Sequence, residues 1–236
     1  MVKTDGIPEV IDSFEVDGVK ISIITPAFKI EDKADGKKIL RNLEKYGRVC
    51  YKSEGRITPE SAGPFLQNVM KRGHFSIIEH EKVTVRVICD RGVTHEWVRH
   101  RLASYSQEST RYCNYGKLGF QYIHLSSYSV GSPQYEERKQ AIIDATRHYL
   151  NELKLGSAPQ EARGVLPNSL KTEIIVTHNI REWRHFFYLR CATGAHPQIR
   201  EIAVVLLREF QKKIPYLFDD FQIDEEKMTA TTNIIT

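Results

Sequence analysis

The sequence predicts an α+β protein: a single domain with a mainly antiparallel mixed sheet packed by helices, one of which is long. First, β-branched runs typical of strands are interspersed along the chain with apolar residues at helical spacing. Second, no G-x-G-x-x-G turn and no G-x-x-x-x-G-K-[ST] loop occurs, so the nucleotide-binding turns of Rossmann and P-loop proteins are excluded. Third, no linker separates a second domain. We therefore expect one domain over residues 1–236, with a core at about 19–218 and a polar C-terminal tail.

Composition limits the classes of protein that this chain can belong to. The net charge is only +4, from 34 basic and 30 acidic residues, which argues against a protein that mainly coats nucleic acid. No apolar run reaches the ~18 residues that a membrane span needs. The four cysteines (Cys50, Cys89, Cys113 and Cys191) form no C-x-x-C pair, and residues 1–17 are polar and acidic. We therefore expect reduced thiols in a cytoplasmic protein.

In the N-terminal half, turn residues separate segments of regular periodicity. Thr58 and Pro59 resemble a helix cap and first turn, and Gly73 can end the same helix. Val83, Val85 and Val87 alternate with other residues, as in a strand with one buried face. The expected elements are a strand at Val19–Thr25, a helix at Ala34–Tyr46, a helix from Thr58 to Lys71 or Arg72, a strand around residues 83–88, a helix at Val93–Ser104 and a strand at Gly119–Leu125.

The C-terminal half is expected to be richer in helix. The predicted elements are the longest helix at Pro133–Leu155, a helix capped by Ser157 that ends near Pro167, a strand at Leu170–Thr177, and helices at Asn179–Cys191 and Pro197–Lys213. From Phe221 onward the chain is polar, and we expect it to fray.

Residues 99–112 combine dense positive charge with apolar side chains. Their sequence, R-H-R-L-A-S-Y-S-Q-E-S-T-R-Y, places Arg99, His100 and Arg101 side by side and adds Arg111. A guanidinium group suits phosphate and carboxylate because it donates two parallel hydrogen bonds. On a helix, consecutive side chains point about 100° apart, so the first three cannot serve one small anion. Charge alone leaves two interpretations open, a basic helix on a solvated face and an anion-binding site.

Two catalytic patterns in this region are incomplete. Residues 95–100, H-E-W-V-R-H, approach the zinc motif H-E-x-x-H, but a separation of five turns the two rings about 140° apart on a helix. Ser109 lacks the neighbouring base that a nucleophile requires, and a hydroxyl that donates to phosphate is the simpler interpretation. We expect no metal site and no protein nucleophile, and we keep a nucleic-acid-binding module and a zinc hydrolase as alternatives.

A second cluster of arginine, histidine and aromatic residues occupies residues 179–190, N-I-R-E-W-R-H-F-F-Y-L-R. The aromatic residues can form core, which leaves Arg181, His185 and Arg190 in need of partners. By itself this pattern indicates only an amphipathic helix. Nearer the N-terminus, His74 lies in a turn before a strand and is the histidine there best placed to touch a ligand.

Residues 99–109 follow the pattern R-H-R, then seven residues, then serine. This pattern resembles the signature of the flavin-dependent thymidylate synthases. The likeness covers roughly Ile21 to Tyr216, and its supporting segments are Arg48–Tyr51, Gly73–His80, Glu161–Pro167 and Asn179–Arg190. The resemblance implies a homotetramer with active sites shared between subunits. The composition described above adds that the protein is expected in the cytoplasm, with neither a membrane nor a nucleic-acid partner. The resemblance also implies FAD bound without a Rossmann turn, and methylation of dUMP to dTMP with 5,10-methylenetetrahydrofolate as carbon donor and NADPH as reductant.

The same resemblance implies the site residues. The expected FAD contacts are His74, Ser76, Arg99, His100, Arg101, Gln107, Asn179, Arg181 and His185. The expected dUMP contacts are Glu96, Trp97, Val98, Arg99, Gln107, Glu108, Ser109, Thr110, Arg111, Arg163 and Arg190. Arg111 and Arg163 would hold the phosphate. Arg190, the expected catalytic residue, would lie against the pyrimidine and favour its ionised form, so no protein nucleophile is required.

Three features depart from the pattern of some relatives. Glu96 stands where some carry an amide, and whether it faces the ribose hydroxyl or lies outside the dUMP site stays open. His185 stands where some carry asparagine. The segment Cys191–Pro197 is longer than in some relatives, which leaves the spacing beyond Arg190 open.

Overall fold

Strands and helices follow one another in mixed order in the computed structural model, which describes residues 1–31 and 35–234. The strands of these residues are β1 Val10–Val16, β2 Val19–Ile24, β3 Ala27–Ile30, β4 Lys82–Asp90, β5 Ala103–Gln107, β6 Phe120–Ile123, β7 Lys171–Asn179, β8 Gln222–Asp224 and β9 Thr229–Thr231. The α-helices are α1 Gly36–Val49, α2 Ala62–Lys71, α3 Arg91–Trp97, α4 Tyr115–Leu118, α5 Pro133–Lys154, α6 Pro159–Ala162, α7 Ile180–Arg190 and α8 Pro197–Lys213. Short 3-10 helices cover Glu54–Arg56, Phe75–His80 and Arg163–Val165. The predicted α+β class is confirmed.

The strands of the described residues form three sheets, whereas we expected one. Their orders are β1-β2-β6, β3-β4-β7-β5 and β8-β9. The β1–β2 and β8–β9 pairs are antiparallel, and the β2–β6 pair is parallel. The sequence analysis missed β1, which pairs with β2 through a tight turn at Asp17 and Gly18, both with positive φ. Such a turn matches the twist of a hairpin and fixes its register.

The chain divides into two compact units. Unit 1 comprises Met1–Phe28, Val87–Val98 and Ser106–Ile174, and unit 2 comprises Lys29–Arg86, Arg99–Tyr105 and Ile175–Thr236. Four of the five dividing points fall within β3, β4, β5 and β7, so each unit contains part of each of these strands, and the fifth lies between Val98 and Arg99, just after α3.

In unit 1, the core lies between α5 and strands β2 and β6. Helix α5 has 22 residues, the most of any helix in the described part of the chain, and the Ser132 side chain caps it by accepting the Tyr135 N–H. Its Ile142 and Tyr149 are buried with Phe120 of β6, and the rings of Phe120 and Tyr149 meet edge to face at 5.3 Å. None of the helices in residues 1–31 and 35–234 has the length and apolar character that a membrane crossing requires.

In unit 2, helices α7 and α8 share an aromatic core. The ring of Trp183 lies 5.0 Å from that of Phe210, and the ring of Phe187 lies 5.7 Å from that of Phe218. Trp183 Nε1 also donates to the carbonyl of Val83 in β4, at 3.0 Å. Helix α7 is therefore fixed to both α8 and β4, which makes it a rigid support for its polar side chains.

The predictions with the most regular periodicity match the structure best. Helix α8 begins and ends at the predicted residues, and strands β2, β4, β6 and β7 lie where they were expected. Helix α1 was expected from Ala34, which lies outside the described residues. Helix α2 begins at Ala62 instead of Thr58, because residues 58–61 form a turn in which the Ser61 N–H donates to the Thr58 carbonyl.

The helix predicted after Ser157 is much shorter than expected. Helix α6 covers only Pro159–Ala162, and a 3-10 turn at Arg163–Val165 continues it. Ser157 is not its cap. The Ala158 N–H is instead accepted by the Glu161 carboxylate at 2.9 Å, which satisfies the helix start from within.

The predicted helix at Val93–Ser104 is wrong in its second half. The Asp90 side chain caps α3 by accepting the Val93 N–H at 2.8 Å, but the helix ends at Trp97. Residues 103–107 instead form β5, which lies beside β7 in the four-stranded sheet. Pairing with a neighbouring strand overrides the local helical pattern, as tertiary context commonly does.

The expectation that the chain frays from Phe221 is also wrong. Phe221 is 3% exposed, and β8 and β9 form an antiparallel pair beyond it. The wholly buried guanidinium of Arg184 on α7 donates to the carbonyl of Ile234, at 3.1 Å. A polar sequence is ordered here because a buried cation binds its backbone.

Candidate functional site

The signature segment is not helical at its arginines, and it is divided between the two units. Residues 99–105 belong to unit 2 and residues 106–112 to unit 1. Arg99 and Arg101 are exposed, whereas His100 between them is only 3% exposed. Within residues 1–31 and 35–234, neither arginine has a hydrogen bond or ion pair. Two guanidinium groups without a balancing carboxylate are suited to an anionic ligand.

Both ring nitrogens of His100 are engaged inside unit 2. Nδ1 lies 3.0 Å from Oε1 of Glu182, and Nε2 lies 3.1 Å from Nε of Arg190. The ring also packs edge-on against Phe186 at 5.1 Å and against His185 at 5.6 Å. The structure therefore brings together His100, His185 and Arg190 of the predicted site, together with Glu182, which the sequence analysis did not select.

Helix α7 positions these groups from one end to the other. The Asn179 side chain caps the helix by accepting the Glu182 N–H at 2.8 Å. Arg181 forms an ion pair at 2.7 Å with Glu79, which lies in the same 3-10 helix as Ser76. Arg190, in the last turn, is half-buried. Asn179 therefore has a structural role as cap, and Arg181 already has one anionic partner.

One group of side chains has the composition of a metal site. Ligand atoms of His100, Glu182 and His185 lie within 4.8 Å of one another. The Nε2 atom of His100 faces the guanidinium of Arg190, and a fixed cation there opposes the binding of a second cation. The near-motif H-E-x-x-x-H is also broken, because α3 ends at Trp97, before His100. The arrangement fits a carboxylate–histidine–arginine network better than a zinc centre.

Another buried histidine, His178 of β7, lies beside this cluster. His178 is 1% exposed, and its ring lies 6.2 Å from that of His100 and 4.6 Å from that of Trp183. Burial lowers the pKa of His178 to about 4, although the nearby Glu182 carboxylate acts in the opposite direction. His178 is therefore neutral near pH 7.

In unit 1, Thr110 and Arg163 lie together. Thr110 is buried, and its Oγ1 accepts a hydrogen bond from Arg163 Nη1 at 2.9 Å. Arg163 has no carboxylate partner among the described residues, and neither does Arg111, whose guanidinium stacks over the Tyr112 ring at 5.5 Å. The Ser109 hydroxyl accepts the Arg111 N–H at 3.3 Å. Exposed arginines beside hydroxyl groups are typical of phosphate sites.

Glu108 and Gln107 are held by other side chains of unit 1. Glu108 accepts from the Tyr115 hydroxyl at 2.9 Å and from Lys171 Nζ at 2.8 Å. Burial, and then the charge of Glu108, raises the pKa of Tyr115. Gln107 Nε2 donates to Thr94 at 3.0 Å and to Thr172 at 3.2 Å. These contacts orient both residues, and Glu108, Tyr115 and Lys171 line a cleft of about 350 Å³.

The remaining predicted dUMP residues of unit 1 lie at the end of α3. Trp97 is wholly buried, Val98 is 38% exposed, and Glu96 is half-buried. Trp97 is therefore part of the core and can support a site only through its backbone, whereas Val98 and Glu96 reach the surface. The Ser109 hydroxyl accepts a backbone N–H, and the expectation that it is not a nucleophile stays a prediction.

His74 and Ser76 are exposed in unit 2, and His74 adjoins a basic cleft that the sequence analysis did not identify. The Tyr51 hydroxyl lies 2.6 Å from Nδ1 of His74. Tyr51 lines a cleft of about 340 Å³ whose cationic members are Arg48, Lys52, Arg56 and Arg72. Arg48 is paired with the buried Glu44 at 2.8 Å, while the other three have no acidic partner in the described residues. The segment Arg48–Tyr51 was one of those that supported the family resemblance, but nothing in its sequence indicated a cleft.

Comparison with known proteins shows to which family the chain belongs. A family model described as thymidylate synthase complementing protein matches residues 35–216. A flavin-dependent thymidylate synthase of Corynebacterium glutamicum is 33% identical over 228 residues, which cover 89% of this chain and 90% of that protein. The chain belongs to the flavin-dependent thymidylate synthase family.

Two further members of the family are also similar to this chain over most of its length. The flavin-dependent thymidylate synthase of Geobacter sulfurreducens is 38% identical over 183 residues, which cover 73% of this chain and 78% of that protein. That of Mycobacterium sp. (strain JLS) is 33% identical over 236 residues, with 90% and 92% coverage. The resemblance found in the sequence is confirmed, and the family to which the chain belongs is one of methyltransferase enzymes.

The four cysteines of this family member differ in burial. All four are free thiols, and Cys89 and Cys191 are buried. Burial raises the pKa of both of these thiols, which keeps them protonated near pH 7.

Proposed function

We propose that this chain converts dUMP to dTMP by reductive methylation at C5 of the pyrimidine. The one-carbon unit would come from 5,10-methylenetetrahydrofolate, and the C5 hydrogen of dUMP would leave as a proton. Bound FAD, reduced by NADPH, would supply the hydride that completes the methyl group. Membership of the family, together with the uncompensated guanidinium groups of Arg99 and Arg101, supports this proposal.

The residues of unit 2 are proposed to hold FAD. The exposed arginines Arg99 and Arg101 suit its pyrophosphate, because a guanidinium group binds phosphate oxygens in pairs. Asn179, Arg181 and His185 would contribute from α7, and His74 and Ser76 from the segment around the 3-10 turn. Gln107, of unit 1, is proposed as a further contact. His100 is the exception, because its buried ring already uses both nitrogens within the protein.

The residues of unit 1 are proposed to hold dUMP. Arg163 and Arg111 would bind the phosphate with the hydroxyls of Ser109 and Thr110, as their positions beside one another support. Glu108 and Gln107 are held by fixed partners and could present their remaining polar atoms to the nucleoside. Glu96, the surface of Val98 and the backbone of Trp97 would complete the contacts, with Arg99 and Arg190 of unit 2.

Arg190 is proposed to act on the pyrimidine. A fixed cation beside the ring stabilises the negative charge that develops when C5 becomes nucleophilic. The reaction then requires no serine or cysteine nucleophile, and the raised pKa of the buried thiols of Cys89 and Cys191 supports this for those two residues.

A homotetramer in the cytoplasm is proposed as the working form. Next to the signature arginines, the apolar side chain of Leu102 is 71% exposed, and Tyr112 is 79% exposed. Exposed apolar groups beside a proposed ligand site support coverage by another subunit. Light scattering on the purified protein tests this directly, and a monomer would contradict it.

The functional assay measures dTMP formation from dUMP, methylenetetrahydrofolate, NADPH and FAD. Arg190→Ala is expected to lower turnover about a hundredfold or more while the bound FAD stays the same, since one charged group that stabilises a transition state contributes about this much. Arg200→Ala is the matched control, because within the described part of the chain the Arg200 guanidinium donates only to backbone carbonyls in the loop before α8. Unchanged turnover in Arg190→Ala would remove its proposed role, and no dTMP from the wild type would refute the function.

A further inference from the structure

Glu182, His100 and Arg190 form a linear hydrogen-bonded network in unit 2. Their two contacts are Glu182 Oε1 to His100 Nδ1 at 3.0 Å and His100 Nε2 to Arg190 Nε at 3.1 Å. Glu182 and Arg190 lie in the first and last turns of α7, and His100 comes from the signature segment, 82 positions before Glu182. The histidine thus connects the two ends of the helix.

The chemistry of the three groups fixes where each proton lies. An arginine Nε carries a hydrogen and can only donate, so Nε2 of His100 must accept. The single proton of a neutral imidazole is then on Nδ1, from which it is donated to the Glu182 carboxylate. A carboxylate that accepts from a histidine selects its tautomer and its ring orientation, as it does where histidine binds a metal. Glu182 therefore determines whether His100 offers an acceptor to Arg190.

The surroundings of the network make these contacts firm. His100 and Glu182 are 3% and 6% exposed, so solvent does not compete strongly for their hydrogen bonds. Phe186 packs against the ring of His100, and the Asn179 cap holds the backbone of Glu182. The rings of His178 and His185 also face the ring of His100. The hydroxyl of the nearby Tyr105 donates to the His100 carbonyl at 2.6 Å, and burial raises the pKa of this hydroxyl.

We propose that Glu182 is a positioning residue for catalysis: acting through the Nδ1–H tautomer of His100, it sets the orientation of the Arg190 guanidinium. This inference rests on the proposed role of Arg190 at the pyrimidine. It gives His100 a function that does not depend on contact between its ring and the flavin. Without the carboxylate, the ring can carry its proton on Nε2, and Nε of Arg190 then loses the acceptor that His100 provides.

The first test is spectroscopic and requires neither flavin nor turnover. In protein with ¹⁵N-labelled histidine, NMR distinguishes a protonated ring nitrogen from an unprotonated one, and His100→Gln identifies the signals. The wild type should show protonated Nδ1 and unprotonated Nε2 for His100, and Glu182→Ala should shift the proton toward Nε2. A wild-type ring protonated at Nε2, or a tautomer that is the same in Glu182→Ala, would overturn the proposal.

The second test separates positioning from a structural role. Glu182→Ala should lower kcat at least tenfold while bound FAD per folded protein stays at the wild-type level, and Glu182→Gln should recover part of it, because its amide oxygen can still accept from Nδ1. Asp220→Asn is the matched control, since Asp220 faces α7 but binds Arg184. It should lower stability and leave kcat of the folded enzyme unchanged.

Each outcome of the second test is decisive. Unchanged kcat in Glu182→Ala, or a loss of kcat that merely parallels a loss of FAD or of folded protein, would overturn the positioning role. A wild-type protein that makes no dTMP would instead refute the proposed function, while the tautomer measurement would still decide whether Glu182 controls His100.

Discussion

The pairing of Arg184 with Asp220 offers a quantitative test of what fixes α7, the helix that carries Glu182, His185 and Arg190. The guanidinium of Arg184 is 0% exposed, and its Nη1 and Nη2 each donate to one Asp220 oxygen at 2.7 Å. In Asp220→Ala, the carbonyls of Leu217 and Ile234 would remain as its only acceptors among the residues that the structure describes. A buried cation would then lack a counter-charge.

The expected loss follows from that geometry. Removing one partner of a buried ion pair costs about 3–5 kcal/mol, because the remaining charge is desolvated and unpaired. Total stabilities are about 5–15 kcal/mol, so this single change should remove a large part of the free energy of unfolding. Replacing both charges, with Arg184→Met added to Asp220→Ala, should recover part of the loss, because no charge then stays buried.

Urea unfolding, followed by circular dichroism at fixed protein concentration, measures the effect. The control is Asp144→Ala, which removes an exposed carboxylate of α5 paired with Arg147 at 3.1 Å and should change stability by at most about 0.5 kcal/mol. A loss below about 1 kcal/mol in Asp220→Ala, or one no larger than in the control, would refute the account of how α7 is held.

Three further predictions concern single residues. The pKa of His178 is about 4 in the folded protein against 6.5 unfolded, so its contribution to stability is present above pH 6.5 and is lost as pH falls toward 4. The loss in the free energy of unfolding should be about 2 kcal/mol between pH 7.5 and pH 5. A His178→Gln variant that shows the same pH dependence in urea unfolding would contradict this prediction. A Cβ on Gly36 would lie 2.0 Å from the carbonyl oxygen of Lys213, so Gly36→Ala should lower the melting temperature, whereas Gly55→Ala, where nothing lies near, should not. Arg163→Ala should raise the Kd for dUMP about 10- to 100-fold, the value of a charged hydrogen bond, and should leave binding of deoxyuridine nearly unchanged; an equal loss for both in calorimetry would show that Arg163 does not contact the phosphate.

The fold could be predicted where the sequence carries a regular period. Helix α8 and strand β4 show clear apolar repeats, and both were found. Strand β1 was missed because it lies at the edge of its sheet and its apolar and polar residues, V-I-D-S-F-E-V, do not alternate regularly. The prediction that the helix continues to Ser104 was wrong for the opposite reason. The local pattern suited a helix, but pairing in the sheet, which is set by distant residues, decides the structure of β5.

The candidate site could be predicted as a set of residues but not as a set of contacts. The signature and the cluster at residues 179–190 gave His100 and Arg190 through the resemblance. Glu182 was not selected, since a glutamate in the first turn of a helix is common and its partner lies 82 positions away. Lys171 and Tyr115, which hold Glu108, were missed for the same reason. Pair contacts of this kind depend on tertiary structure, which no local pattern encodes.

The central claim is that the exposed arginines of the signature hold nucleotide anions and that a bound flavin carries the reducing equivalents. An absorbance spectrum of the purified protein, followed by titration with dUMP, tests it most directly. We predict a yellow protein, or one that takes up added FAD, whose flavin bands change saturably with dUMP. A colourless protein that takes up no FAD, or a flavin spectrum indifferent to dUMP, would contradict the account.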